Sequence, residues 1–123
     1  MSLHTLRDRK KAQKESHMYQ EISKIFHLIV LDNDQLRDIF VSRVSLSKDK
    51  SHVTIYFYTP GGLAGFEEKR PTLVLYKGSM RKAISQLIPG RYTPELTFAF
   101  DALFEKQQKI QNLIDKVTAE EKE

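Results

Sequence analysis

The sequence predicts an α+β fold, a three-stranded sheet with helices packed on one face, and three patterns predict it. Met18, Ile22, Ile25 and Ile29 step by four, three and four, the period of an amphipathic helix. Residues 39–47 and 52–59 alternate apolar and polar side chains on either side of a short polar loop, as the strands of an antiparallel hairpin do. A broken helical run then gives way to Leu96, Phe98 and Phe100 alternating with Glu95, Thr97 and Ala99, a third, half-buried strand. Helices segregated to one side of such a sheet make a two-layer domain.

The first helix is expected from near residue 6 to residue 30. Residues 1–15 are polar and offer no core face before Met18, so they read as a basic, partly frayed arm. The domain proper is expected over 16–118, with a disordered tail over 119–123. Asp32-Asn33-Asp34 ends the first helix in a loop. In the first strand Phe40, Ser42, Val44 and Leu46 fall on one face and Ile39 and Val41 on the other. That pattern is imperfect and implies a bulge, or partial cover of the second face. Residues 47–51, Ser-Lys-Asp-Lys-Ser, form a turn. In the second strand Val53, Ile55 and Phe57 oppose His52, Thr54, Tyr56 and Tyr58.

Residues 60–65 read as a flexible connection. Pro71 suits the first position of a helix, so a short helix is expected over 71–77. A start nearer Phe66 would place the proline inside and lose an intrahelical bond; the sequence leaves both open. Gly78 weakens a helix interior by about 1 kcal/mol relative to alanine and reads as a break. Ser79 then caps a second helix, whose apolar face is Met80, Ala83, Ile84 and Leu87. Pro89-Gly90 stops it. After the third strand, Asp101 is the N-cap of a last helix striped by Phe104, Ile110, Leu113, Ile114 and Val117.

A strand–helix–helix–strand core with a hairpin strand ahead of it matches the type II KH arrangement. That fold clamps single-stranded nucleic acid with a GXXG loop between its two core helices. Gly62-Leu63-Ala64-Gly65 spells the motif in the wrong place, before the first core helix. Between the helices stands Tyr76-Lys77-Gly78, so a helix-kink-helix replaces GXXG.

At 123 residues the chain is long enough for one self-sufficient domain. It has no cysteine, which excludes disulfides and Cys-based metal sites and fits a reducing compartment. The opening residues lack the apolar core of a signal peptide, and no run of about 18 apolar residues exists to cross a membrane. A cytoplasmic protein is expected. The net charge of +4 is unevenly spread. Residues 1–24 carry six basic against three acidic side chains, residues 64–93 six against two, and residues 105–123 four against five. Two basic segments suggest a polyanion on one side; solvated helix faces are the alternative.

The strongest candidate site is the basic kink. Lys77, Gly78, Arg81 and Lys82 surround a helix start whose free N–H groups suit phosphate, with Arg91 in the following loop. Arg7, Arg9, Lys10 and Lys11 of the arm are the second candidate. Lys and Arg on phosphates give affinity without sequence information. Arg81 could instead brace the kink, its stem packed and its head wet. Tyr56 and Tyr58 could stack bases, but they lack flanking strand arginines, which favours ordinary β-formers. No nucleophile motif, P-loop, metal spacing among His4, His17, His27 and His52, or EF-hand pattern around Asp32, Asp34 and Asp38 occurs. An enzyme is not expected, nor a cofactor or a small-molecule substrate.

The chain also resembles the ribosome-binding factor A family. Arg81, Arg91, Pro94-Glu95-Leu96, Phe98 and Asp101 fall on the family's places with unbroken spacing, and its A-x-G kink falls on Tyr76-Lys77-Gly78. Val44-Ser45-Leu46-Ser47-Lys48-Asp49 is similar to its V-x-x-S-x-D hairpin segment. Tyr76 replaces the family's alanine, Asn33-Asp34-Gln35-Leu36 lacks the proline of its D-P-x-L loop, and residues 60–70 differ from its acidic connection. A monomer is expected. A free-standing single-stranded RNA binder and a protein-only adaptor using the last helix are the alternatives to what the resemblance implies, a non-catalytic assembly factor. It would bind 16S rRNA on free 30S subunits, assist 5′-end processing and matter most in the cold.

Overall fold

A computed structural model describes residues 3–87 and 93–121. Helix α1 spans Leu3–Asp32, followed by a single 3-10 turn at Asp34–Leu36. Strands β1 (Phe40–Leu46) and β2 (His52–Tyr58) form the hairpin. Helices α2 (Gly62–Leu75) and α3 (Lys77–Ser85) precede β3 (Glu95–Phe100), and α4 (Ala102–Glu121) closes the described chain. The sheet order is β1-β2-β3, with β1 antiparallel and β3 parallel to β2.

β2 is central, and its alternation decides the layers. Val53, Ile55 and Phe57 are fully buried, whereas the residues between them are half-exposed. Successive strand side chains point to opposite faces, so one sheet face is dry and the other open. Met18, Ile22 and Phe26 of α1, Phe66 and Leu73 of α2, and Met80 and Ile84 of α3 cover the dry face. Phe57 sits at the centre, edge-on to Phe26 at 5.2 Å and to Phe98 at 5.4 Å and stacked with Phe66 at 6.3 Å. Truncating such a ring to alanine costs about 3–5 kcal/mol.

The bulge expected in β1 lies between Val41 and Arg43, where the pairing with β2 skips Ser42. It changes the faces. Val41 joins Val44 and Leu46 in the core, while Phe40 turns outward. An extra residue in a period-2 element flips the preceding side chains, so simple alternation misassigned Phe40 and Val41.

Three boundaries differ from expectation. α1 begins at Leu3, so residues 3–15 are the first half of one continuous helix, held further along by the core stripe that starts at Met18. α2 runs through Pro71, the more N-terminal of the two starts that the sequence leaves open, and residues 62–65 are its first turn in place of a flexible link. Burial of Phe66 and Leu73 on either side of the proline outweighs one lost hydrogen bond. α4 continues to Glu121, through the part of the expected tail that is described. The Pro89-Gly90 stop lies outside the described residues.

Asp101 caps α4 as expected: its Oδ1 accepts from the Phe104 N–H at 3.0 Å. The bulge brings two successive β1 side chains to the same carboxylate. Ser42 Oγ lies 2.7 Å and Arg43 Nε 3.0 Å from Oδ2. Asp101 is buried, and its carboxyl still sits below the ordinary carboxylate value: burial pushes it up, and the Ser42 hydroxyl, the Phe104 N–H and Arg43 outweigh that.

Candidate nucleic-acid interface

The break between α2 and α3 falls at Tyr76. This residue ends one helix and starts the next, with φ −94° and ψ 0° and no side-chain cap. Its N–H donates to the Leu73 carbonyl at 3.0 Å and its own carbonyl accepts from Met80 at 2.9 Å. The ring packs on the core, and the hydroxyl donates to Asp32 of α1 at 3.3 Å. Gly78, expected to make the break, lies within α3, and a Cβ there would meet nothing within 4 Å. Ser79 lies inside α3 and is not its cap. A packed tyrosine, not glycine flexibility, sets the junction.

The basic residues around the kink have different fates. Lys82 is exposed, and no ion pair involves it among the described residues. Lys77 is half-buried with its ammonium 6.0 Å from the centre of the Phe98 ring. Arg81 turns back onto its own chain: Nε donates to the Pro94 carbonyl at 3.1 Å, and Nη2 to the Thr93 carbonyl at 3.3 Å and to Glu95 at 2.8 Å. It braces the entry to β3. Arg91 lies outside the described residues.

A second cationic group forms at the hairpin end, where sequence reasoning saw only a turn. The Glu15 carboxylate accepts from the Leu46 N–H at 2.7 Å, pinning α1 to the last residue of β1. Lys14 is thereby held beside the hairpin tip. Asp49 folds that tip by accepting from Ser51 Oγ at 2.7 Å, Ser47 Oγ at 2.8 Å and the Ser51 N–H at 3.1 Å. These bonds, led by the Ser51 hydroxyl, hold its carboxyl down to about 2. Lys50 follows with φ 62°, the left-handed conformation that lysine seldom adopts. The neighbouring Lys50, with a loss of surrounding water and the charge of Lys10, lowers the Lys14 pKa. Two like charges in contact are unfavourable unless an anion joins them.

Arg9 and Lys10 are exposed on the same helix and Lys11 is half-buried. Of Arg7 only the backbone, within α1, is described. The Glu95 N–H donates to the Ser51 carbonyl at 2.9 Å, so the start of β3 and the hairpin tip share one end of the sheet.

The open face is less available than the sequence suggests. Arg43, opposite Tyr56 across the bulged pair, places its guanidinium 3.9 Å from the Tyr56 ring centre. This strand arginine flanks the tyrosine in space, not in sequence. Tyr58 is covered by Phe104 at 4.6 Å and Phe40 at 5.6 Å. Both tyrosines are occupied by protein partners. Gly62-Leu63-Ala64-Gly65 stays away from the α2–α3 junction. Gly62, at φ 72°, is the glycine that its turn requires. Among the described residues no cluster of three or more His, Asp or Glu could hold a metal, and no helix is long and apolar enough to cross a membrane.

Comparison with known proteins gives one consistent likeness. The family model for ribosome-binding factor A matches residues 10–114. The ribosome-binding factor A of Lactobacillus gasseri is 31% identical over 110 residues, covering 89% of each chain. That of Syntrophomonas wolfei is 26% identical over 115 residues, covering 89% of this chain and 94% of the relative. The crystal structure of ribosome-binding factor A from Thermus thermophilus superposes with a TM-score of 0.58 at 23% identity, over 72% of this chain and 92% of that one, a likeness of fold. The solution structure of a putative ribosome binding factor A from Thermotoga maritima gives 0.52 at 29% identity, over 71% and 86%.

Proposed function

The chain belongs to the ribosome-binding factor A family, and from that premise we propose that it is a non-catalytic assembly factor of the small ribosomal subunit. In this reading it binds 16S rRNA on free 30S particles and assists 5′-end processing. The observation that carries the reading is the family match over residues 10–114, and the basic group of Lys10, Lys14 and Lys50 supports it. A fold that holds ammonium groups together, and keeps the nearby Asp49 occupied within its own turn, is built to receive an external anion. An rRNA phosphate supplies one, with affinity that falls as salt releases condensed counterions.

Arg9, Lys10 and Lys11 extend this surface along α1, and Arg7 is assigned to it from the sequence alone. Lys77, the Gly78 backbone and Lys82 supply a second patch at the kink, and Arg91, outside the described residues, is assigned to it from the sequence alone. Arg81 belongs to the site as the residue that shapes the entry to β3. The displaced GXXG argues against a free-standing binder of short oligomers.

Ribosome-gradient sedimentation of tagged protein tests the proposal. Co-migration with free 30S and little with 70S is the expected result. Equal association with 70S, or none with 30S at low salt, overturns it.

A further inference from the structure

α4 carries an apolar stripe that its own chain leaves uncovered. Leu103, Ile110, Leu113, Ile114 and Val117 are 49–64% exposed, although their spacing puts them on one side of the helix. Phe104, one turn in, rests on Tyr58 and Phe40 and anchors the start of α4 to the domain. Beyond it the helix projects with its stripe in water.

The charges on the same helix are polarised. Its first half carries Lys106 and Lys109 against Glu105, and its second half Asp115, Glu120 and Glu121 against Lys116. Lys106 lies at one end of the stripe and Glu120 borders the other. We propose that α4 pairs antiparallel with the α4 of a second copy of this chain, about a two-fold axis passing between Leu113 and Ile114. That register sets Leu113 against the partner's Ile114 and Ile110 against the partner's Val117. Lys106 then meets the acidic end of the opposing helix, beside the partner's Glu120. In this register Ile110, Leu113, Ile114 and Val117 are self-complementary, with Leu103 outside the contact, and with the two opposed charge pairs they give what an isologous interface requires.

Antiparallel pairing is also the sterically open choice. At 1.5 Å per residue, the two domains sit at opposite ends of the helix pair, roughly 35 Å apart. A parallel pair would bring like charges together and crowd both domains at one end. The stripe spans only about two heptads, short of the three or four of a stable coiled coil. The association is therefore weak and transient, and the dilute chain is monomeric.

The chain's lack of cysteine makes the test clean. Sedimentation equilibrium of the full chain should show dimer at several times the Kd, and Leu113→Lys should abolish it without loss of helical signal. Ile110→Cys and Val117→Cys proteins, mixed and oxidised, should form the mixed disulfide in several-fold excess over either self-linked species. Two results overturn the proposal: a wild-type chain monomeric at every concentration, or self-linked Ile110→Cys dimers as abundant as mixed ones.

Discussion

Arg81 and Glu95 join α3 to β3 through a 2.8 Å contact, and the same guanidinium holds the Pro94 carbonyl at 3.1 Å. Thr93 and Pro94, just ahead of β3, are thus fastened to α3 by one side chain. The ion pair is half-exposed and worth little by itself; the bonds to backbone carbonyls contribute about 0.5–1.5 kcal/mol each. Arg81→Ala should lower Tm by roughly 5 °C and leave the salt dependence of 30S binding unchanged. Arg81→Lys should recover less than half of the stability, since an ammonium cannot fork across three acceptors. A flattened salt slope with unchanged Tm would instead place a phosphate on Arg81.

Lys14 and Lys50 should behave in the opposite way. Each alanine substitution removes a like-charge contact, so Tm should hold or rise slightly. Affinity for 30S should fall, and the slope of log K against log salt should flatten by about 0.7–0.9 per lost phosphate contact. Lys82→Ala should give the same kind of loss at the kink. Wild-type affinity and slope in a Lys14→Ala/Lys50→Ala double variant would remove the hairpin end from the interface.

Gly78→Ala should stabilise the protein by about 0.5–1 kcal/mol. The position is helical, a Cβ meets nothing there, and alanine restricts the unfolded chain more than glycine does. Ala64→Asp in the displaced GXXG should change 30S binding only by a generic charge effect. Denaturant melts check the first and binding titrations the second; a clear loss in either would show that the glycine or the motif acts in the site.

Asp101 ties α4, β1 and β2 together, so Asp101→Asn should cost about 2 kcal/mol at pH 7. Its folded pKa lies below the ordinary 3.8. A carboxylate lowered in this way contributes its full stability above the unfolded value and loses it as pH falls through the folded one. The gap in Tm between wild type and Asp101→Asn should therefore be constant from pH 7 to about 5 and close below about pH 4. A gap that does not narrow as pH falls below about 4 would refute this assignment.

The sequence by itself determined whatever repeats over a few neighbouring residues. The stripe Met18-Ile22-Ile25-Ile29, the alternation through Val53, Ile55 and Phe57, the Asp101 cap and the misplacement of GXXG all follow from local periodicity and turn chemistry, as does the need for a bulge in β1. Tertiary structure decided what the charged and aromatic side chains do. Lys14 meets Lys50 because Glu15 pins α1 to the end of β1. Arg81 braces because Pro94 and Glu95 return beside it, and Arg43 reaches Tyr56 and Asp101 only across a bulged register. Tyr76, not Gly78, makes the junction, because its ring found the core and its hydroxyl found Asp32. Helix and strand propensity act over a turn or a pleat, whereas the role of a long polar side chain depends on groups brought within about 3 Å by packing. For the same reason the α4 stripe could be read in the sequence, but its exposure could not.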